Sequence, residues 1–207
     1  QEFVKGVAKV VCDGNPADVD ALLKLKYDDN MTVEEALRDK ILTIGENMSI
    51  RRFVRYEGNI ATYIHGGGRI GVIVKAEAAL EGDAYEAARD AAMQIAALNP
   101  RYLDKSTVPQ ADIDSEKEIL IAQSKNDPKS AGKPDAIIEK MVMGRISKFY
   151  TLNCLNQQEF VKDSDTTVEK YLASKGVKLV EYTRFEKGEG LEKKEDNFAD
   201  EVASMVK

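Results

Sequence analysis

From Ile60 to Lys75 the sequence runs I-A-T-Y-I-H, then three consecutive glycines, then R-I-G-V-I-V-K, and it contains the single histidine of the chain, His65. The spacing of Gly66, Gly68 and Gly71 satisfies G-x-G-x-x-G, which in dinucleotide-binding folds follows a strand and opens a helix whose first N–H groups hold a pyrophosphate. The flanks oppose that use. Behind Gly71 stands Val72-Ile73-Val74, a β-branched run that favours a strand, and ahead of Gly66 the run Ala61–Ile64 is strand-like as well. Two strands joined by glycines that reach positive φ without steric cost make a hairpin. An antiparallel sheet is thus the element around which the rest has to be arranged.

The alanine-rich stretch from Asp83 to Leu98 supplies a cover for such a sheet. Its apolar positions, Ala84, Ala87, Ala88, Ala91, Ala92, Ile95 and Leu98, fall on one helical face, and small side chains there allow close approach. Asn99-Pro100 ends it. Upstream, Phe3–Val11 and Val19–Leu25 read as helical patches separated by turn signals at Asp13-Gly14-Asn15-Pro16 and Asp28-Asp29-Asn30. Thr32 and Glu35 form a capping box that starts a helix over Val33–Ile44. The alternation over Ser49–Tyr56 predicts a further strand, with a turn at Glu57-Gly58-Asn59.

Beyond the alanine helix, two polar helices are expected over roughly Asp112–Lys125 and Pro134–Tyr150, joined by the breaker-rich segment Asn126–Lys133. The second carries a stripe at Ile138, Val142, Ile146 and Phe149, whereas the first offers little beyond Ile113 and Leu120. An antiparallel helical hairpin projecting from the body fits this pattern, with a length of about 20 to 25 Å at ~1.5 Å rise per residue. Two ordinary helices lying flat on the core remain the other arrangement. Leu152–Val161 has no clear period. Thr166/Thr167 to Lys175 reads as a helix ended by Gly176, Val177–Glu186 as a strand, and Asn197 as the cap of a last helix through Val202 and Met205.

Composition narrows the chemistry. The 207 residues have 43% apolar side chains and a formal charge of −6, with no apolar run near the roughly 20 residues of a membrane helix. The acidic balance disfavours general binding to nucleic acid phosphates. Cys12 and Cys154 are isolated, so neither a disulfide framework nor a zinc knuckle is indicated, and a cytosolic protein is expected. No hydrolase, zincin or Walker motif is present. No metal site and no cofactor are expected of the chain itself.

The string Ile44-Gly45-Glu46-Asn47-Met48-Ser49-Ile50-Arg51-Arg52, followed by His65-Gly66, Arg69-Ile70-Gly71-Val72, Glu139-Lys140-Met141-Val142, Gly144-Arg145, Arg184-Phe185 and Gly188-Glu189-Gly190, resembles bacterial translation elongation factor Ts. These islands keep the family's order and span nearly the whole chain. Relative to a typical member, the family's N-terminal helical module and first sheet hairpin are missing, so a truncated member is expected. The resemblance implies an α+β fold of two small helix-plus-antiparallel-sheet subdomains with a projecting antiparallel coiled-coil hairpin. Residues 1–58 would form the first subdomain, 59–109 with 152–207 the second, and 110–151 the inserted hairpin.

By the same resemblance the chain is a guanine-nucleotide exchange factor that binds elongation factor Tu, promotes GDP release and catalyses no covalent chemistry. Glu2-Phe3-Val4 looks like the family's Asp-Phe-Val element, whose phenylalanine wedges between two helices of the partner's G domain. Ile44, Gly45 and Glu46 fall on a loop that contacts that domain, and His65 on the hairpin-tip contact. Read from residue type alone, Phe3 is a core residue, Ile44 and Gly45 a buried residue and a turn, and His65 an exposed turn histidine. Two functions of other classes stay open: a structural coiled-coil adaptor, and an enzyme built on the glycine spacing. No direct nucleic acid or membrane partner is expected, and a homodimer through the exposed sheet is left open.

Overall fold

A computed structural model describes residues 2–127 and 133–191. The expected final helix from Asn197 and the charge run Glu192–Asp196 lie outside the described residues, as does most of the breaker segment between the two polar helices. The fold is α+β, and the chain divides into two compact units at Gly58/Asn59.

The first unit holds three helices, α1 (Glu2–Gly14), α2 (Val19–Lys24) and α3 (Val33–Ile44). The starts of α2 and α3 each have a physical cause. Asp18 accepts a hydrogen bond from the Ala21 amide at 2.7 Å to cap α2. Thr32 and Glu35 form the expected reciprocal box on α3, with Glu35 Oε2 accepting from the Thr32 amide at 2.8 Å. That hydrogen bond holds the Glu35 carboxyl below its ordinary value. α3 stops where Gly45 takes φ 79° and its N–H returns to the Ile41 carbonyl at 2.8 Å. The unit's apolar cluster is built on the buried Val7, Val11, Leu22 and Val33, with Phe3, Val10, Leu23, Tyr27, Ile50 and Phe53 packed around them. Gly6 lets α1 approach closely, since a Cβ there would lie 2.4 Å from the Tyr27 hydroxyl.

The strand expected over Ser49–Tyr56 does not form. Among the described residues the first unit has no ladder, only an isolated bridge between Lys26 and Thr32, so it is a helical unit and not a helix-plus-sheet subdomain. The alternating residues are held in another way. Ile50 and Phe53, three apart, pack on the helical cluster, and Arg55 Nε donates to the Cys12 carbonyl at 3.1 Å while its guanidinium pairs with Glu57. With no neighbouring strand among the unit's described residues, the alternation orders side chains without forming a ladder.

The second unit is organised by a three-stranded antiparallel sheet in the order β1 (Ile60–His65), β2 (Ile70–Ala76), β5 (Leu179–Glu186). β2 is central, and Ile70, Val72, Val74 and Ala76 alternate into the interior. Helix α4 (Asp83–Leu98) packs on that face through Ala87, Ala88, Ala91, Ala92 and Ile95, as its small-residue face predicts. It ends at Asn99, the left-handed cap.

The stretch that follows Leu152, aperiodic in sequence, proves ordered. β3 (Glu159–Phe160) and β4 (Asp163–Thr167) form a short second sheet, followed by α7 (Val168–Ser174) capped by Thr167. What fixes it is polar. The buried Gln94 side chain donates to the Glu159 carbonyl at 2.9 Å and accepts from the Val161 amide at 2.9 Å, while Phe160 stacks on Tyr171 with centroids 4.1 Å apart. Helices α5 (Gln110–Asn126) and α6 (Asp135–Asn153) pack on each other through a cluster of their own, Leu120, Ile138, Val142 and Ile146. At their base Asp104 accepts hydrogen bonds from Ser106, Gln157 and Asn156. Burial by itself would raise its carboxyl, but these donors outweigh burial and hold it far below the ordinary range.

Candidate functional site

In the first unit two short stretches carry the expected contacts. On α1, Glu2 and Val4 point outward, Val4 with 68% of its surface exposed, whereas Phe3 turns inward. Its ring lies 5.6 Å from that of Tyr27 at 38°, on the unit's apolar cluster. Phe3 is thus half-buried and anchors the start of α1. At the end of α3, Ile44 is 55% exposed, and Gly45 and Glu46 are exposed in the turn that follows.

Sequence reasoning missed Leu42, which is 78% exposed, more than any other large apolar side chain described. A signal was available. Val33, Ala36, Leu37 and Ile41 follow the 3.6-residue period of the buried stripe, and Leu42 stands out of phase with it, so it faces water. Exposed single apolar residues are ordinary, but two within three positions of a helix end are a candidate contact.

In the second unit the hairpin closes through Gly66, Gly67 and Gly68, all at positive φ (58°, 65° and 96°). The His65 carbonyl accepts from the amides of Gly68 at 3.2 Å and Arg69 at 3.0 Å, which fixes the backbone of the tip. Gly71 lies inside β2, so a strand and not a helix follows the glycines, and the phosphate-loop geometry is absent here. His65 is exposed, and its Nδ1 is 3.0 Å from the hydroxyl of Tyr63, two residues back on the same face of β1. Strand pairing sets His65 beside Ile70 and Ile70 beside Glu186, with Arg69 Nε 3.8 Å from the Glu186 carboxylate.

Besides Asp104, three acids of the second unit are displaced strongly, all upward. Burial and a hydrogen bond to Asp90 push the Tyr171 phenol up to about 12, burial pushes Tyr182 up to about 12, and burial with the charge of Asp104 pushes the Cys154 thiol up to about 11. Each is an acid held neutral, which is the reverse of what a nucleophile needs at neutral pH.

The first unit is thus a helical unit with exposed apolar residues at its helix ends, and the second an antiparallel α+β unit with a histidine at its hairpin tip. Comparison with known proteins makes this specific. The family model described as Elongation factor TS matches residues 1–189. The chain is 48% identical to elongation factor Ts of Clostridium kluyveri over 216 residues, which covers 99% of this chain and 69% of that protein. It is 44% identical to elongation factor Ts of Clostridium botulinum, again over 99% of this chain and 69% of the relative. Elongation factor Ts of Clostridium perfringens is 46% identical over 98% of the chain. The chain belongs to the elongation factor Ts family. Its activity is accordingly non-enzymatic nucleotide exchange on elongation factor Tu during translation elongation, and the family places it in the cytoplasm.

Proposed function

We propose that exchange is carried by two patches of this chain, the helix ends of the first unit and the hairpin tip of the second. In the first, Val4, Ile44, Gly45 and Glu46 meet the G domain of elongation factor Tu. Glu2 adds a carboxylate beside them, and Phe3 holds the first turn of α1 in position through Tyr27 while offering the exposed part of its ring. In the second, His65 makes the polar contact. The observation that carries this reading is the exposure of Val4 and Ile44, at 68% and 55%, with Leu42 exposed beside Ile44 at the same helix end.

The energetics are those of linkage. A factor that binds the nucleotide-free partner better than the nucleotide-bound one weakens nucleotide affinity by the ratio of the two affinities. Burying one such side chain contributes about 1.5 to 3 kcal/mol. Part of that energy goes into displacing backbone that supports the partner's Mg²⁺, whose near-ideal octahedral geometry tolerates little movement. Metal and nucleotide both belong to the partner.

The finer architecture is part of the proposal. Residues 110–151 act as a coiled-coil arm inserted between 59–109 and 152–207, with residues 1–58 as a separate subdomain. The arm's stripe Ile138, Val142 and Ile146 is buried within the α5–α6 pair. Contact with a partner would therefore fall to outward residues such as Met143, which is 71% exposed. A second copy docking on the exposed sheet is the remaining element, and a size measurement with and without elongation factor Tu decides it.

Release of fluorescent GDP from elongation factor Tu tests the contacts. Val4→Asp, Ile44→Asp and His65→Ala are each expected to slow release, while Lys178→Ala, whose partner Glu77 is also a surface residue, is not. Equal effects of all four would remove the patches from the account. Binding without any change in release would favour the structural adaptor.

A further inference from the structure

Within the hairpin-tip contact, which this inference takes from the preceding reading, the geometry points to a residue that acts through His65. Tyr63 and His65 share a face of β1, and the Tyr63 hydroxyl lies 3.0 Å from Nδ1 with the rings 5.9 Å apart. The two residues differ in burial: Tyr63 packs against the core of the second unit, and His65 is exposed. A ring set in the core thus reaches out to one at the surface.

The backbone at His65 is already fixed by the Gly68 and Arg69 amides, so the remaining freedom is in the side chain. A histidine χ2 is broad and roughly two-fold, and turning it over exchanges Nδ1 for a carbon. A hydrogen bond to Nδ1 selects one of these states. It also selects a tautomer, because in neutral imidazole one nitrogen donates and the other accepts. The phenol O–H is the better donor of the pair, and the bare imidazole nitrogen is the better acceptor.

We propose that Tyr63 is the positioning residue for His65. Its hydroxyl donates to Nδ1, locks the ring orientation and leaves Nε2–H directed outward as a donor. The group it meets on the nucleotide-binding partner is accordingly an acceptor, a backbone carbonyl or a carboxylate. Tyr63 itself makes no contact with that partner.

Because the chain has one histidine, its ring nitrogens can be observed without assignment ambiguity. The test is ¹⁵N NMR of the imidazole in the full chain, under conditions where the nitrogens report the neutral form, for the unmodified protein and Tyr63→Phe. The phenylalanine keeps the packed ring and removes only the hydroxyl. Expected is a protonated Nε2 with an unprotonated Nδ1 in the unmodified protein, and a shift toward mixed tautomers in Tyr63→Phe. A protonated Nδ1 in the unmodified protein, or identical spectra, would overturn the assignment.

The same variants are then measured for GDP release from elongation factor Tu. Loss of one hydrogen bond predicts a reduction of about two- to ten-fold for Tyr63→Phe. No further reduction is expected when Tyr63→Phe is added to His65→Ala. Additive losses would overturn the positioning role. If the spectra behave as expected but His65→Ala releases GDP at the unmodified rate, the hairpin-tip contact fails, and the role of Tyr63 in exchange fails with it.

Discussion

Ser49–Tyr56 and Ile60–His65 lie almost end to end and both alternate, yet only the second is a strand. β1 pairs residue for residue with β2 from Ile60↔Lys75 to His65↔Ile70. The earlier segment is fastened by Ile50, Phe53 and Arg55 to helices instead. Alternation therefore reports which side chains can share a face, while a ladder needs a partner strand that the segment's own sequence does not encode. The contrast extends to the units: the second is built on a sheet with a flat alanine-faced helix, the first on helix caps and a small cluster.

The contrast can be pressed hardest in the second unit. Ile95 on α4 has no exposed surface and sits in the sheet core, so Ile95→Ala should cost about 2 to 5 kcal/mol in chemical denaturation. A cost below about 1 kcal/mol would mean that α4 and the sheet are not the principal core. Phe53 in the first unit is only half-buried and lies in no ladder, and Phe53→Ala should cost less, about 1 to 2 kcal/mol. Amide hydrogen exchange sharpens the same point with a smaller signal. Val72 and Val74 in the central strand should be strongly protected, whereas Phe53 and Val54 should exchange quickly. Protection of Phe53 and Val54 equal to that of β2 would restore the strand.

Legibility in the sequence followed the range of the forces. The capping box at Thr32 and Glu35, the glycine turn, the alanine face of α4 and the Gly176 stop are set within a few residues, and each was readable. The β3–β4 pair was not, because Gln94 holds it from more than sixty positions away and its strands are too short to show a period. At the candidate site the exposure of Val4 and Ile44 is a property of the folded helices, whereas that of Leu42 was legible in its phase against the Val33, Ala36, Leu37 and Ile41 stripe. For Phe3 the residue type suits either a wedge or a core, and the fold adds a ring partner in Tyr27 while leaving part of the side chain exposed.

On the proposed linkage, this chain and the nucleotide compete through the conformation of elongation factor Tu, which makes their effects on each other reciprocal. A pair of equilibrium titrations tests this most directly: GDP affinity of elongation factor Tu with and without saturating chain, and chain affinity with and without saturating GDP. Both affinities should fall, and by the same factor. A chain affinity that GDP leaves unchanged would contradict it.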